Sequence, residues 1–147
     1  MRRFVFFMLI VLLSFSCRER EDSSIPDSEV YLKLSWDDYV RLRNPGTYQI
    51  FTTGNNVYPA NTKLGYGGLV VFRDFDGNVR ACDLSCPVEA MRSVRVEIDM
   101  PYAVCPRCES KFDLSFGFAA PCGGPATEPL YVYDHVVDNG STIVVSN

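Results

Sequence analysis

The chain of 147 residues is predicted to be mostly β, a small antiparallel sandwich or barrel. Period-two alternation at Val30/Leu32/Leu34 and again at Val94/Val96/Ile98 marks half-buried strands. Asp76-Gly77 and Asn139-Gly140 supply hairpin turn chemistry between β-rich runs. One short stretch alone, Ser35-Trp36-Asp37-Asp38, carries a helix start signal.

In chain order, Val30 to Ser35 is the first expected strand. A short helix follows to about Leu42 and must stop at Asn44-Pro45-Gly46. Thr47 to Thr53 is strand-like, Gly54-Asn55-Asn56 a turn, and the polar segment to Lys63 a loop. Gly67 to Arg73 and Asn78 to Asp83 form the clearest hairpin. Tyr102-Ala103-Val104 and Lys111 to Leu114 are further strands, and Gly117 to Pro129 reads as a loop because of its prolines and glycines. Leu130 to Tyr133 and Thr142 to Val145 are expected to close the chain as a hairpin. No repeat or low-complexity segment interrupts this order.

A hydrophobic content of 47% with 22% charged residues fits one globular core. The formal charge of -4 provides no basic face for phosphates, which argues against nucleic acid as a partner. At the start, Arg2 and Arg3 precede an apolar run from Phe4 to Leu13, which ends at Ser14-Phe15-Ser16-Cys17. Ten residues cover about half of the roughly 20 that a membrane-crossing helix needs, so the run is expected to be a secretion signal. A small residue before a cysteine at this place resembles the lipobox of bacterial lipoproteins, which implies lipidation of Cys17. The expected organisation is a signal peptide over 1–16, a lipidated tether over 17–28 and a folded domain over 29–147. The charged string Arg18-Glu19-Arg20-Glu21-Asp22 suits a solvated tether. The resemblance implies a cell-envelope protein on a membrane through its lipid, at the periplasmic face or outer-membrane surface of a gram-negative bacterium.

Five of the six cysteines lie between Cys82 and Cys122. Cys82 and Cys86 are spaced C-x3-C, and Cys105 and Cys108 C-x2-C with Pro106 stiffening the turn. Tight turns that aim two thiolates at one point build zinc and iron-sulfur sites. Exported proteins also keep disulfides, and four cysteines allow three pairings. Spacing alone leaves metal and disulfides nearly even.

The loops themselves resemble those of Rieske iron-sulfur domains. Cys86-Pro87-Val88-Glu89 stands where that family has Cys-Pro-His, and Cys105-Pro106-Arg107-Cys108 where it has Cys-Pro-x-His. Ser110-Lys111-Phe112-Asp113-Leu114 matches the following Gly-Ser-x-Phe-Asp, with Glu109 in place of glycine, and Gly124-Pro125-Ala126 looks like the covering third loop. The resemblance implies a Rieske-type β domain with a rubredoxin- or zinc-ribbon-like cysteine-loop subdomain. Its ligand set departs from the pattern: Val88 cannot ligate, Cys108 replaces the second histidine, and the chain has one histidine, His135. A converted four-cysteine site is therefore expected, with Cys86, Cys105, Cys108 and either Cys82 or Cys122 holding a 2Fe-2S cluster or zinc. Glu89 is a weaker candidate ligand.

The resemblance implies electron transfer to a redox partner protein if iron is bound. The alternative is a cluster-free binding or structural module held by disulfides or structural zinc. No catalytic constellation is found: His135 has no partner motif, and Gly65-Tyr66-Gly67-Gly68 lacks the lysine of a phosphate loop.

Overall fold

The computed structural model describes residues 23–54 and 58–147. The expected signal peptide, Cys17 and the start of the tether lie outside these residues. The protein is mostly antiparallel β, and its only helical element among the described residues is a short 3-10 turn over Val40–Arg43.

Among the described residues, eleven strands form three sheets. They are β1 (Val30–Ser35), β2 (Tyr48–Phe51), β3 (Lys63–Leu64), β4 (Leu69–Arg73), β5 (Val79–Asp83), β6 (Glu97–Asp99), β7 (Tyr102–Val104), β8 (Lys111–Asp113), β9 (Ala120–Gly123), β10 (His135–Asp138) and β11 (Thr142–Ser146). The first sheet has the order β10-β11-β1-β3, the second β2-β4-β5, and the third β6-β7-β8-β9.

The β4–β5 hairpin is the middle layer. Successive side chains of a strand point to opposite faces, and here both faces are covered. Leu69, Val71 and Ala81 pack with Val30, Leu32, Leu34, Ile143 and Val145 of the first sheet. Val70, Phe72 and Cys82 pack instead with Ile98, Ala103 and Phe112 of the third. Double burial explains why Leu69-Val70-Val71-Phe72 is an unbroken apolar run, with all four side chains inaccessible to solvent. Asp74 closes the hairpin from inside: it is buried, accepts a hydrogen bond from Asn78 N–H at 2.7 Å and pairs with Arg80 Nε at 3.0 Å.

Three expected elements take another form. The helix after Ser35 is reduced to turns, because Trp36 is pinned in the core with its Nε1–H on Asp138 Oδ1 at 2.8 Å. Too little chain then remains before Pro45 to repay the nucleation of an α-helix. The expected loop Gly117 to Pro129 contains β9, where Pro121 is tolerated because β9 is an edge strand of the third sheet. In the closing hairpin β11 pairs with His135–Asp138, not with Leu130 to Tyr133. The Asn139 side chain accepts hydrogen bonds from Ser141 and Thr142 N–H, and so short a turn selects the residues just before it. The segment Leu130 to Tyr133 runs beside β5, bridging Val132 to Cys82.

At the start of the described chain Ile25 is buried, and Ser24 gives its backbone N–H and hydroxyl to the Glu128 carboxylate at 2.9 and 2.6 Å. The last part of the expected tether therefore lies against the third loop.

Candidate metal centre

Two knuckles of matching build present the cysteines. Cys86 follows β5, and its carbonyl accepts the N–H of Ala90, four residues on, at 2.9 Å. Cys105 follows β7, and its carbonyl accepts the N–H of Glu109, again four residues on, at 3.0 Å. Each turn ends on a non-glycine residue in the left-handed region, Ala90 at φ 47° and Glu109 at φ 60°. Both cysteine N–H groups are also satisfied, Cys86 by Val94 O and Cys105 by Ser110 O. Such closed turns fix the direction of each thiol before any ligand arrives.

The sulfurs of Cys86, Cys105 and Cys108 lie within 4.8 Å of one another. Cys86 Sγ and Cys108 Sγ are 3.6 Å apart. Cys86 and Cys105 are fully buried, while Cys108 is half-buried. Burial pushes the Cys86 thiol up to about 12, with the neighbouring sulfurs of Cys105 and Cys108 adding to the shift. At Cys108 the cost of burial is outweighed by hydrogen bonds from Ser110, which hold the thiol below its ordinary value.

The third loop reaches this point through Ser110. The Ala126 N–H donates to Ser110 Oγ at 3.1 Å, and that oxygen lies 3.1 Å from Cys108 Sγ. The Cys108 thiol donates to this oxygen, and once the thiol ionises the hydroxyl can turn its own proton to the thiolate. Gly124 makes the approach possible: at φ 76°, a Cβ there would stand 2.6 Å from Ser110 Cα and 2.8 Å from Glu109 O. Across the top, Arg107 Nε pairs with Glu89 Oε2 at 3.2 Å and joins the two knuckles. Glu89, a candidate oxygen ligand in sequence, is thus engaged by an arginine.

The other two candidate cysteines are placed elsewhere. Cys82 is buried in β5 against the core, and Cys122 is exposed on β9; neither belongs to the three-sulfur group. His135 is exposed on β10. The donor set does not fit a two-histidine, two-cysteine iron centre, because the group offers no imidazole. It fits a single thiophilic ion: around a tetrahedral zinc at about 2.3 Å from each thiolate, sulfurs stand about 3.8 Å apart. A two-iron cluster spreads its ligands over two metal ions, so some ligand pairs lie much farther apart than the three found here.

A supporting residue lay hidden in the glycine-rich Gly65-Tyr66-Gly67-Gly68. This loop wraps the fully buried Asp83, which accepts hydrogen bonds from Tyr66 N–H at 2.8 Å, Gly67 N–H at 3.0 Å, Ser85 N–H at 2.8 Å and the Tyr133 hydroxyl at 3.0 Å. A Cβ on Gly65 would collide with the Tyr133 hydroxyl, and one on Gly67 with Ser85 Oγ. The legible signal was an acidic residue inside an apolar strand, three positions before Cys86 and downstream of closely spaced glycines.

No family model matches the chain, and no curated protein matches it. Solved structures are similar to it. A chain of the complex of reduced oxygenase and oxidized ferredoxin in carbazole 1,9a-dioxygenase is 21% identical, with a TM-score of 0.47 over 80% of this chain and 93% of that one. The Sphingomonas yanoikuyae B1 ferredoxin is 19% identical, with a TM-score of 0.45 over 71% and 88% of the two chains. The ferredoxin of carbazole 1,9a-dioxygenase from Nocardioides aromaticivorans IC177 is 22% identical, with a TM-score of 0.46 over 79% and 96%.

Proposed function

We propose that the protein is a metal-binding module of the bacterial cell envelope, held to a membrane through lipid on Cys17, with Cys86, Cys105 and Cys108 as thiolate ligands of one ion. The observation that carries this reading is the convergence of three sulfurs within 4.8 Å on two closed knuckles. Iron in such a site carries one electron, and zinc holds the loops together. The redox reading makes the partner another protein that approaches the half-exposed Cys108 side.

Metal analysis and the visible spectrum of anaerobically purified protein test this. One iron with thiolate-to-metal charge-transfer bands supports the electron carrier, and one zinc in colourless protein supports the structural site. Two irons and inorganic sulfide per chain would instead demand a 2Fe-2S cluster and a fourth ligand drawn from Cys82 or Cys122. Cys86→Ser and Cys105→Ser each abolish binding on the proposed scheme; full occupancy in either variant overturns it.

A further inference from the structure

We propose that Cys86 and Cys108 form a reversible dithiol–disulfide pair, so that in the metal-free protein the site is itself a two-electron redox couple that exchanges with external disulfides. Their sulfurs are 3.6 Å apart and unbonded. A disulfide bond is about 2.05 Å long, so forming it requires the two sulfurs to approach by about 1.5 Å. Access sets the order of events. Cys86 and Cys105 have no exposed surface, whereas Cys108 is half-buried and an external disulfide can reach it.

The Cys108 sulfur also has a hydrogen-bond partner in Ser110. Ser110 Oγ accepts the Ala126 N–H and the Cys108 thiol, each at 3.1 Å, which holds the Cys108 sulfur in place beside Cys86. Exchange proceeds by attack of a thiolate on a disulfide sulfur. Taking glutathione disulfide as the oxidant, Cys108 forms a mixed disulfide and releases one glutathione. Cys86 then gives up its proton and attacks the Cys108 sulfur, forming the internal disulfide and releasing the second glutathione, which takes up that proton. Two protein thiols lose two electrons in all, and their two protons leave with the two glutathiones. The disulfide consumes two of the three converging sulfurs, so oxidation and metal binding exclude each other.

The inference stands apart from the metal reading and is tested separately. Metal-free full-length protein is incubated with glutathione disulfide, alkylated and digested with trypsin. Cleavage after Arg80, Arg92, Arg95, Arg107 and Lys111 puts Cys86 in peptide 81–92, Cys105 in 96–107, Cys108 in 108–111 and Cys122 beyond 111. The expected product is 81–92 joined to 108–111, formed also in Cys82→Ser, reversed by dithiothreitol and absent from Cys86→Ser. Zinc-treated protein is protected only if the metal reading also holds. A link of 96–107 to 108–111, a mixed disulfide that persists on Cys108, or no loss of thiols overturns the inference. Zinc binding without the 81–92 link refutes this pair alone, and the link without zinc binding refutes the metal reading alone.

Discussion

The hydroxyl of Tyr133 donates to Oδ2 of Asp83 at 3.0 Å and ties the returning chain to the end of β5, three residues before Cys86. The same carboxylate serves three backbone N–H groups, and burial beside it pushes the Tyr133 phenol up. Removing one partner of a buried hydrogen bond costs about 1–3 kcal/mol, and more when the remaining group is charged. Tyr133→Phe is expected to lower stability by about 1–2 kcal/mol. Asp83→Ala orphans several donors at once and should cost 3 kcal/mol or more on the same scale. Urea titrations with unchanged m-values check both, and a ranking with Tyr133→Phe as the more damaging change would contradict the arrangement.

Glu109 and Ala90 close their knuckles with left-handed backbones that an L side chain adopts at a cost of roughly 1–2 kcal/mol. Glycine removes that strain but adds entropy to the unfolded chain. Glu109→Gly and Ala90→Gly are therefore each expected to stabilise the protein, by about 0.5–1 kcal/mol. The opposite change, Gly124→Ala, meets both a positive φ and the Ser110 backbone. It should destabilise by about 2 kcal/mol or more and speed maleimide labelling of Cys108 as the third loop lifts away. Gly140→Ala is the control: its φ is 83° but nothing lies within 4 Å of the added carbon, so only the backbone cost appears.

Elements governed by local chemistry were legible. The run Leu69 to Phe72 with Asp76-Gly77 behind it specifies the β4–β5 hairpin without reference to the rest of the chain. Elements decided by distant packing were not. Pro121 reads as a loop residue until β9 is known to be an edge, and Leu130 to Tyr133 has the pattern of a hairpin strand but is drawn to β5 by the Asp83–Tyr133 contact. The site divides in the same way. The knuckle spacing brings Cys86, Cys105 and Cys108 to attention, but sequence offers Cys82 and Cys122 on equal terms. Only the direction of β5, which turns Cys82 into the core, and the place of β9 at an edge separate them from the group.

Asp74 predicts an acid limb of stability. Burial opposes its charge, but the Asn78 backbone and side chain and Arg80 together hold its pKa below the usual carboxylate range. A carboxyl depressed on folding contributes stability that is complete above its unfolded pKa and disappears as pH falls through the folded value. The loss should begin near pH 4, given an unfolded value of about 3.9, and continue below it. Asp74→Asn is expected to be less stable at pH 7 and to show a flatter stability profile below pH 4. Thermal melts between pH 2.5 and 7 measure the two curves, and parallel profiles would remove Asp74 as the source of the slope.

Metal binding carries its own pH dependence, of the opposite origin. A ligand thiol must lose its proton to bind, so metal competes with protons at each cysteine. With burial pushing Cys86 up to about 12, nearly all of this thiol is protonated across the physiological range, and metal binding must displace the proton. One displaced proton makes the apparent affinity rise about tenfold per pH unit below that value. Cys108, held below its ordinary value by Ser110, needs less help from the metal. Zinc affinity is accordingly expected to rise at least tenfold between pH 6 and 7, with proton release visible in calorimetry across buffers of different ionisation enthalpy. Ser110→Ala removes the hydroxyl that favours the Cys108 thiolate, which should weaken zinc binding. An affinity flat with pH, or a Ser110→Ala variant that binds zinc as tightly as the parent, would separate these thiols from the metal.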